Sequence, residues 1–469
     1  MQQNSNYPKF AVVGHPNKGK SSIVSTLALD DSVQIGNTPG TTQVKRSFPL
    51  RVDGKVIYEL FDTPGFQRAR RVLAWLKERE PESANKRLDV VREFVRVHRD
   101  DERFRDEIEL LEPIVNGAGI IYVVDASKPY GAEYEIEMEI LRWTSQPSMA
   151  ILNLIGKEDF REDWTRALGQ YFRLVRTFNP LKATFQEHMQ LLESMAQLKE
   201  DWTKPIKEAI EVLQKYHTQK IKRSVDVIVD TMFDTLSYVE KKRLRGESAT
   251  PVEIEEIKKR YREKIIKKEK SAEKRIEEIW NHRSVEKISH ILDLDNISLF
   301  SKHSASIFGL KQKELILMGA GAGAVGGAGI DLLFGGSSLF AGSLIGGLIG
   351  GIGAMVGFDN LYKVKILGQK IGKRELVVGP MENINFPYIL LGRIIYYATA
   401  IAKRSHASRE AIELKDLENF ASSIFDKNTR DKLEKVHSLL RDGKEVKEEL
   451  REEYRDIIER IYLKLIDDK

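Results

Sequence analysis

The 469-residue chain contains no cysteine. That absence excludes a disulfide framework, thiolate catalysis, iron–sulfur clusters and cysteine-ligated zinc, and it agrees with a reducing cytosolic setting. Any metal must take oxygen or histidine ligands. Histidine is scarce too, and His98, His188, His282, His303 and His406 have no i,i+4 partner of the kind a helical zinc site uses, so they read as surface or core residues. Net charge is nearly absent: 75 Lys plus Arg against 70 Asp plus Glu leave +5, with the two signs interspersed. Nucleic-acid binders usually gather basic charge on one stripe or tail, so the balance predicts no nucleic-acid partner. No secretory signal is expected, because Lys9-Phe-Ala-Val-Val13 already reads as a strand, and the amino terminus is expected in the cytoplasm. A hydrophobic fraction of 41% excludes a wholly disordered chain, and the length suggests two to four domains.

From Phe10 to about Pro180, short apolar runs alternate with helical stretches, the pattern of βαβ units building a mostly parallel sheet. Strands are predicted at Phe10 to Val13, Val56 to Phe61, Gly119 to Val124 and Met149 to Leu154, with a fifth at Phe172 to Phe178. Trp75, Trp143 and Trp164 read as core anchors of this part. The stretch between Phe66 and Gly117 is far longer than an ordinary loop and must carry its own helices. From about Leu181 to Leu294 long helices take over, with Ala209, Val212, Leu213, Tyr216 and Lys220 to Ile221 on one stripe. Gly246-Glu-Ser-Ala-Thr-Pro251 interrupts them. The helix predicted from Val252 to His282 is dense in charge and reads as a solvated helix or coiled-coil arm supported by pairs such as Glu256 with Arg260 and Glu263 with Lys267. A hairpin is expected from Lys363 to Leu367 and Glu375 to Val378 around Gly372.

After the first strand comes Gly14-His-Pro-Asn-Lys-Gly-Lys-Ser21, which satisfies G-x-x-x-x-G-K-S at every fixed position. Glycines let the backbone wrap a phosphate, the helix beginning near Lys20 offers its positive end, Lys20 reaches the β and γ oxygens, and Ser21 can ligate Mg²⁺. Forty-two residues after Lys20 stands Asp62-Thr-Pro-Gly65, at a strand end where a carboxylate can hold Mg²⁺ through water and the Gly65 N–H can read a γ-phosphate. Between them lies Asn37-Thr-Pro-Gly-Thr-Thr42, whose threonines can complete the Mg²⁺ shell. The three segments together describe a nucleotide switch.

On these motifs the chain resembles an Era-like and TrmE-like GTPase of the translation-factor-related class of P-loop proteins, over about residues 8 to 180. The resemblance implies GTP/GDP and Mg²⁺ as cofactors. It implies nucleotide contacts from Gly14, His15, Pro16, Asn17, Lys18, Gly19, Lys20, Ser21, Ser22, Thr41, Asp62, Thr63, Pro64, Gly65 and Asn153. Lys20, Thr42 and Gly65 would carry the chemistry, Ser21, Thr42 and Asp62 the metal, and Asn17 matches an asparagine that binds an activating K⁺ in some such enzymes. The whole chain is similar to a bacterial family in which this GTPase precedes a carboxy-terminal domain of unknown function. The matching stretches are Leu73-Ala-Trp-Leu76, Ile140-Leu-Arg-Trp143, Phe308-Gly-Leu310, a glycine-rich segment and Asn385-Phe-Pro-Tyr388. The expected architecture is an α/β GTPase domain at 1–180 with a helical insertion at about 67–116, then a mainly α-helical region. That region comprises long helices at 181–312, a glycine-rich apolar hairpin at 313–358, and a hairpin with helices at 359–469.

Two departures weaken the pattern. The guanine-reading motif N-K-x-D is reduced to Asn153-Leu-Ile-Gly156, which should weaken discrimination against adenine unless Glu158 or Asp159 substitutes. The later SAK-like loop is replaced by Thr177-Phe-Asn179. Where Ras-like proteins place a water-orienting Gln, this chain has Phe66, which predicts slow turnover aided by K⁺, a partner or a homodimer. Arg68, Arg70 and Arg71 are candidates for a charge in trans by proximity alone, and a basic, solvated helix start explains them as well.

The segment from Leu315 to Phe358 holds 15 of the 33 glycines and one charge, Asp331, in 44 residues. Gly335-Gly-Ser-Ser338 reads as a turn between two helices, and Gly342, Gly346 and Gly350 as a close-packing face. Membrane insertion is expected, with a hairpin buried in protein as the competing reading. The expectation is thus a slow GTPase switch coupled to a membrane-associating helical domain on the inner face of the membrane. The alternatives are a nucleotide-holding scaffold and a dynamin-like remodelling enzyme.

Overall fold

A computed structural model of the chain describes residues 7–28, 47–52, 54–244, 248–281, 299–311, 364–369, 373–404 and 420–467. The glycine-rich segment, with its expected hairpin, lies outside them, as do Thr41, Thr42, His282 and His406. Among the described residues no helix is long and apolar enough to cross a membrane. The chain divides into two compact units, Met1–His217 with Lys403–Arg409, and Thr218–Ala402 with Glu410–Lys469.

The first unit is built on a six-stranded sheet of order β2-β3-β1-β4-β5-β6. Its strands are β1 Lys9–Val13, β2 Ser47–Val52, β3 Lys55–Asp62, β4 Gly119–Asp125, β5 Ser148–Asn153 and β6 Leu174–Thr177. All neighbours are parallel except β2 with β3. The sequence pattern misses β2. Ser-Phe-Pro-Leu-Arg-Val has a proline that cannot donate to a ladder, and such a strand survives at a sheet edge, where β2 lies.

Period-two alternation sorts the strand side chains onto two faces. Phe10, Val12, Ile121, Val123, Met149 and Ile151 pack against helix α1 (Lys20–Ala28), α7 (Phe185–Ala196) and the first half of α8 (Glu200–Leu236) through Leu192, Trp202 and Leu213. Ala11, Val13, Ile120, Tyr122, Ala150 and Leu152 pack on the other side. That side is covered by α2 (Ala69–Glu78), α3 (Arg87–Val97), α4 (Arg105–Val115), α5 (Glu133–Trp143) and α6 (Arg161–Leu168). Trp143 and Trp164 are fully enclosed there, and Trp75 partly. The first three of these helices occupy the long excursion after Phe66.

The second unit holds an antiparallel sheet of order β7-β9-β8, made by Glu240–Arg243, Lys373–Val378 and Val364–Gln369. The expected hairpin is β8 with β9. The wholly polar Glu-Lys-Lys-Arg of β7 has no apolar alternation to announce it and becomes a strand through its ladder with β9. Helix α9, Pro251–Ile279, starts with a capping box in which Thr250 and Glu253 exchange hydrogen bonds, with Pro251 in the first turn. Its expected reading as a solvated arm is corrected. Ile257, Tyr261, Ile265, Ala272 and Ile276 enter the core, together with Glu269, Glu273 and Glu277. Glu256 does pair with Arg260, at 3.7 Å on the surface.

After α10 (Lys302–Phe308), α11 (Phe386–Lys403) faces the acidic row. Arg393 Nε donates to Glu269 Oε1 at 2.6 Å, both groups buried, and the Tyr397 hydroxyl donates to Glu277. Removing one partner of such a buried pair costs about 3–5 kcal/mol. The row holds more acid than this one arginine compensates. Burial, then the Glu269 carboxylate, push Glu273 up to about 7, while Lys270 at 3.5 Å and Arg393 oppose the shift. Helices α12 (Phe420–Ile424), α13 (Lys427–Arg441) and α14 (Glu448–Asp467) complete the unit.

A carboxyl whose pKa is raised on folding stabilises the fold below its unfolded value, and loses that contribution as pH rises toward about 7. Urea unfolding should therefore show the wild-type second unit weakening between pH 5 and pH 8, by about 1–3 kcal/mol from this group. Glu273→Gln should flatten that slope and be the more stable form at pH 8. An unchanged slope in the variant would refute the assignment.

Candidate nucleotide site

Strand order changes direction at β1, which lies between β3 on one side and β4 on the other. In open parallel sheets the crevice beyond the carboxyl ends at such a point is where ligands bind. The loop Gly14 to Gly19 leaves β1 there and runs into α1. Gly14 has φ +143°, and a side chain on it would collide with the Val123 carbonyl; Gly19 has φ +89°, and a side chain would strike the Asn153 amide. Asn17 takes the left-handed region at φ 61°, a conformation short polar residues tolerate, and is exposed.

Lys20 Nζ donates to the carbonyls of Gly14 at 2.9 Å and His15 at 3.1 Å, so the ammonium is held in the mouth of the loop. Burial lowers its pKa to about 8, against the opposing carboxylates of Asp62 and Glu137. The Ser21 hydroxyl donates to Asp62 Oδ2 at 2.7 Å. A hydroxyl and a carboxylate oxygen side by side suit a hard cation such as Mg²⁺. Ser22 is buried in the first turn of α1. Thr63 Oγ1 donates to the Val12 carbonyl at 2.7 Å, tying the Asp62-Thr-Pro-Gly65 segment to β1. Gly65 lies so close to the loop that a Cβ would stand 2.5 Å from Pro16 Cδ.

Beyond Gly65 the chain turns inward. Phe66 is buried in the core with Val72 and Leu76, and the backbone N–H groups of Gln67 and Arg68 both donate to Glu107 on α4, at 2.9 and 2.5 Å. Arg68, Arg70 and Arg71 are exposed.

Asn153, at the end of β5, donates from Nδ2 to the Lys18 carbonyl at 3.1 Å. The Lys18 ammonium is buried 4.0 Å from Asp125, and burial lowers its pKa with Asp125 opposing. His15 Nδ1 lies 3.0 Å from Glu137 Oε1, and Glu137 Oε2 accepts from the Tyr122 hydroxyl at 2.9 Å. Burial raises Tyr122 well above its usual value.

The structure brings His15, Lys18, Lys20, Ser21, Asp62, Gly65 and Asn153 together around the β1 loop. Sequence reasoning misses Glu107, Tyr122, Asp125 and Glu137. Glu137 stands in Glu-Tyr-Glu-Ile-Glu-Met-Glu, where alternate acids look alike, and only the tertiary position singles it out.

Two family profiles match the chain. One, described as a 50S ribosome-binding GTPase, covers residues 9–154, and one described as a domain of unknown function, DUF3482, covers residues 165–462. Among curated proteins, GTPase Der of Thermoanaerobacter sp. strain X514 is 26% identical over 208 residues, 42% of this chain and 40% of that protein. GTPase Der of Azoarcus sp. strain BH72 is 37% identical over 160 residues, 34% of this chain and 29% of that one. The chain thus spans well under half the length of these relatives. Among solved structures, Aquifex aeolicus Era bound to GDP.AlF4- shares 13% identity at a TM-score of 0.28, covering 55% of this chain and 87% of that one. Era in complex with MgGDPNP and nucleotides 1506–1542 of 16S ribosomal RNA shares 14% identity at a TM-score of 0.29, covering 55% and 88%.

The expectation that nucleic acid is excluded as a partner is corrected by these findings. The profile that matches 9–154 carries a ribosome-binding description, so a near-neutral charge balance does not exclude such partners. The chain belongs to the DUF3482 family, and it carries that domain behind a GTPase domain, matched over 9–154, that is similar to GTPase Der.

Proposed function

We propose that the protein is a Mg²⁺-dependent GTP hydrolase of low intrinsic turnover that acts as a switch. Its second, mainly helical unit is the output. The observation that carries this reading is the Ser21 hydroxyl 2.7 Å from the Asp62 carboxylate, beside a caged Lys20 ammonium at the strand-order switch. A triphosphate entering the loop takes over Lys20 from the Gly14 and His15 carbonyls. Ser21 and Asp62, with Thr42, which follows Thr41 in the sequence, would hold Mg²⁺. Bound there, Mg²⁺ would supply charge neutralisation at the β- and γ-phosphates. The Gly65 N–H is assigned the γ-phosphate contact, which the close approach of Gly65 to Pro16 of the loop supports. Asn17 is assigned the K⁺ contact.

Burial of Phe66 leaves no hydrogen-bonding side chain at that position to orient water, which supports slow hydrolysis. The same burial favours the second reading, a scaffold that holds nucleotide without turnover.

Lys20→Ala should weaken nucleotide binding by about 100-fold, the loss of a charged hydrogen-bonding group on phosphate. Calorimetry reads this directly, and wild-type affinity in the variant would refute the site. Asp62→Ala should leave binding largely intact but raise the Mg²⁺ needed for half-maximal turnover by about 10- to 100-fold. Turnover in KCl against NaCl tests Asn17. Equal rates remove the K⁺ assignment, and binding without turnover in either salt establishes the scaffold reading.

A further inference from the structure

The part of the site that follows β5, where a base is read in the N-K-x-D pattern, has its polar groups already committed. Gly156 stands at the position of the aspartate in that pattern. Its N–H donates to Ser127 Oγ at 2.9 Å, and Ser127 Oγ in turn donates to Asp125 Oδ1 at 2.5 Å. This chain of bonds pins the 154–156 loop to the end of β4. A Cβ on Gly156 would stand 2.9 Å from Ser127 Oγ, so the space a side chain needs is taken by the serine.

Two nearby polar side chains that could replace the lost carboxylate are engaged elsewhere. Asp159 is turned onto Arg161, with contacts of 2.9, 3.0 and 2.6 Å, on the surface at the start of α6. Asn179, after β6, donates its amide to the Leu154 carbonyl at 3.3 Å and accepts from the Leu181 N–H at 3.0 Å. Glu158 is exposed. What the loop does offer is apolar: Leu154 is half-buried, and Ile155 is 52% exposed.

Guanine presents N1–H and N2–H₂ as donors, whereas adenine presents N1 as an acceptor and N6–H₂ as a donor. A site built to pair with donors rejects the wrong partner by about 10⁴–10⁵, because its own polar group is left unpaired, whereas apolar contact with a ring face separates purines weakly. We propose that this site takes purine nucleoside di- and triphosphates without selecting guanine. Affinity comes from the phosphates at Lys20 and Ser21, with Ile155 and Leu154 supplying non-specific contact to the ring. The inference rests on the reading of the Gly14 to Ser21 loop as a phosphate site. It makes the resident nucleotide a matter of relative concentration rather than of base recognition.

The test is calorimetric titration of the full chain with GDP and with ADP in Mg²⁺, repeated on Lys20→Ala. The expected result is dissociation constants within about tenfold of each other, both weakened by Lys20→Ala. A preference for GDP of about 100-fold or more overturns the inference while leaving the phosphate site standing. Absence of binding by either nucleotide overturns both. A second arm installs the missing group: Gly156→Asp with Ser127→Gly, which clears the space, checked for folding by circular dichroism. The GDP-over-ADP ratio should rise by about tenfold or more. An unchanged ratio in the folded double variant would show that the base is not read at position 156 and would overturn the assignment.

Discussion

The pairing of β1 with β3 on one side and β4 on the other holds the nucleotide end together. Val12 is in register with Asp62 across the first ladder and with Ile121 across the second. Because those ladders are parallel, the three carboxyl ends emerge side by side. The phosphate loop leaves one, Asp62 ends the next, and Asp125 ends the third. The Thr63 bond to the Val12 carbonyl ties the end of β3 to β1, and the Asn153 bond to the Lys18 carbonyl ties the end of β5 to the β1 loop. Ser21 then needs no movement of the scaffold to meet Asp62. Strain at Gly14 and Gly19 is the local consequence, since the loop is pressed against Val123 and Asn153 where only glycine fits.

The second unit solves a different problem. Its helix α9 carries charge on most of its surface and yet must bury a face. It does so with a row of glutamates at four-residue spacing, one met by Arg393 and another by Tyr397. Buried ion pairs contribute little net stability but are costly to break. The excess of acid in the row links the packing of this unit to proton concentration, through Glu273 above all.

Much of this was legible in the chain beforehand. Four strands with mostly apolar centres, the G-x-x-x-x-G-K-S loop and Asp62-Thr-Pro-Gly65 stand out because each obeys a local rule of period, glycine placement or strand-end chemistry. Strands β2 and β7 were not legible. Pro49 and the run Glu240–Arg243 contradict strand propensity, and only a partner's unpaired backbone made them strands. The solvated reading of α9 failed for a related reason. A glutamate is apolar to no scale, and its burial depends on an arginine 124 residues away in sequence.

The site divides in the same way. Residue types and spacing alone determined that a phosphate loop, a carboxylate at a strand end and an incomplete base motif belong to one chain, because each is a short-range pattern. Tertiary structure alone decided the rest: that Glu107 accepts from the backbone after Phe66, that Glu137 bridges His15 and Tyr122, and that Ser127 fills the place of an aspartate at Gly156. Those contacts join groups between 15 and 122 residues apart, and no periodicity in the sequence encodes distances that only the closure of a parallel sheet creates.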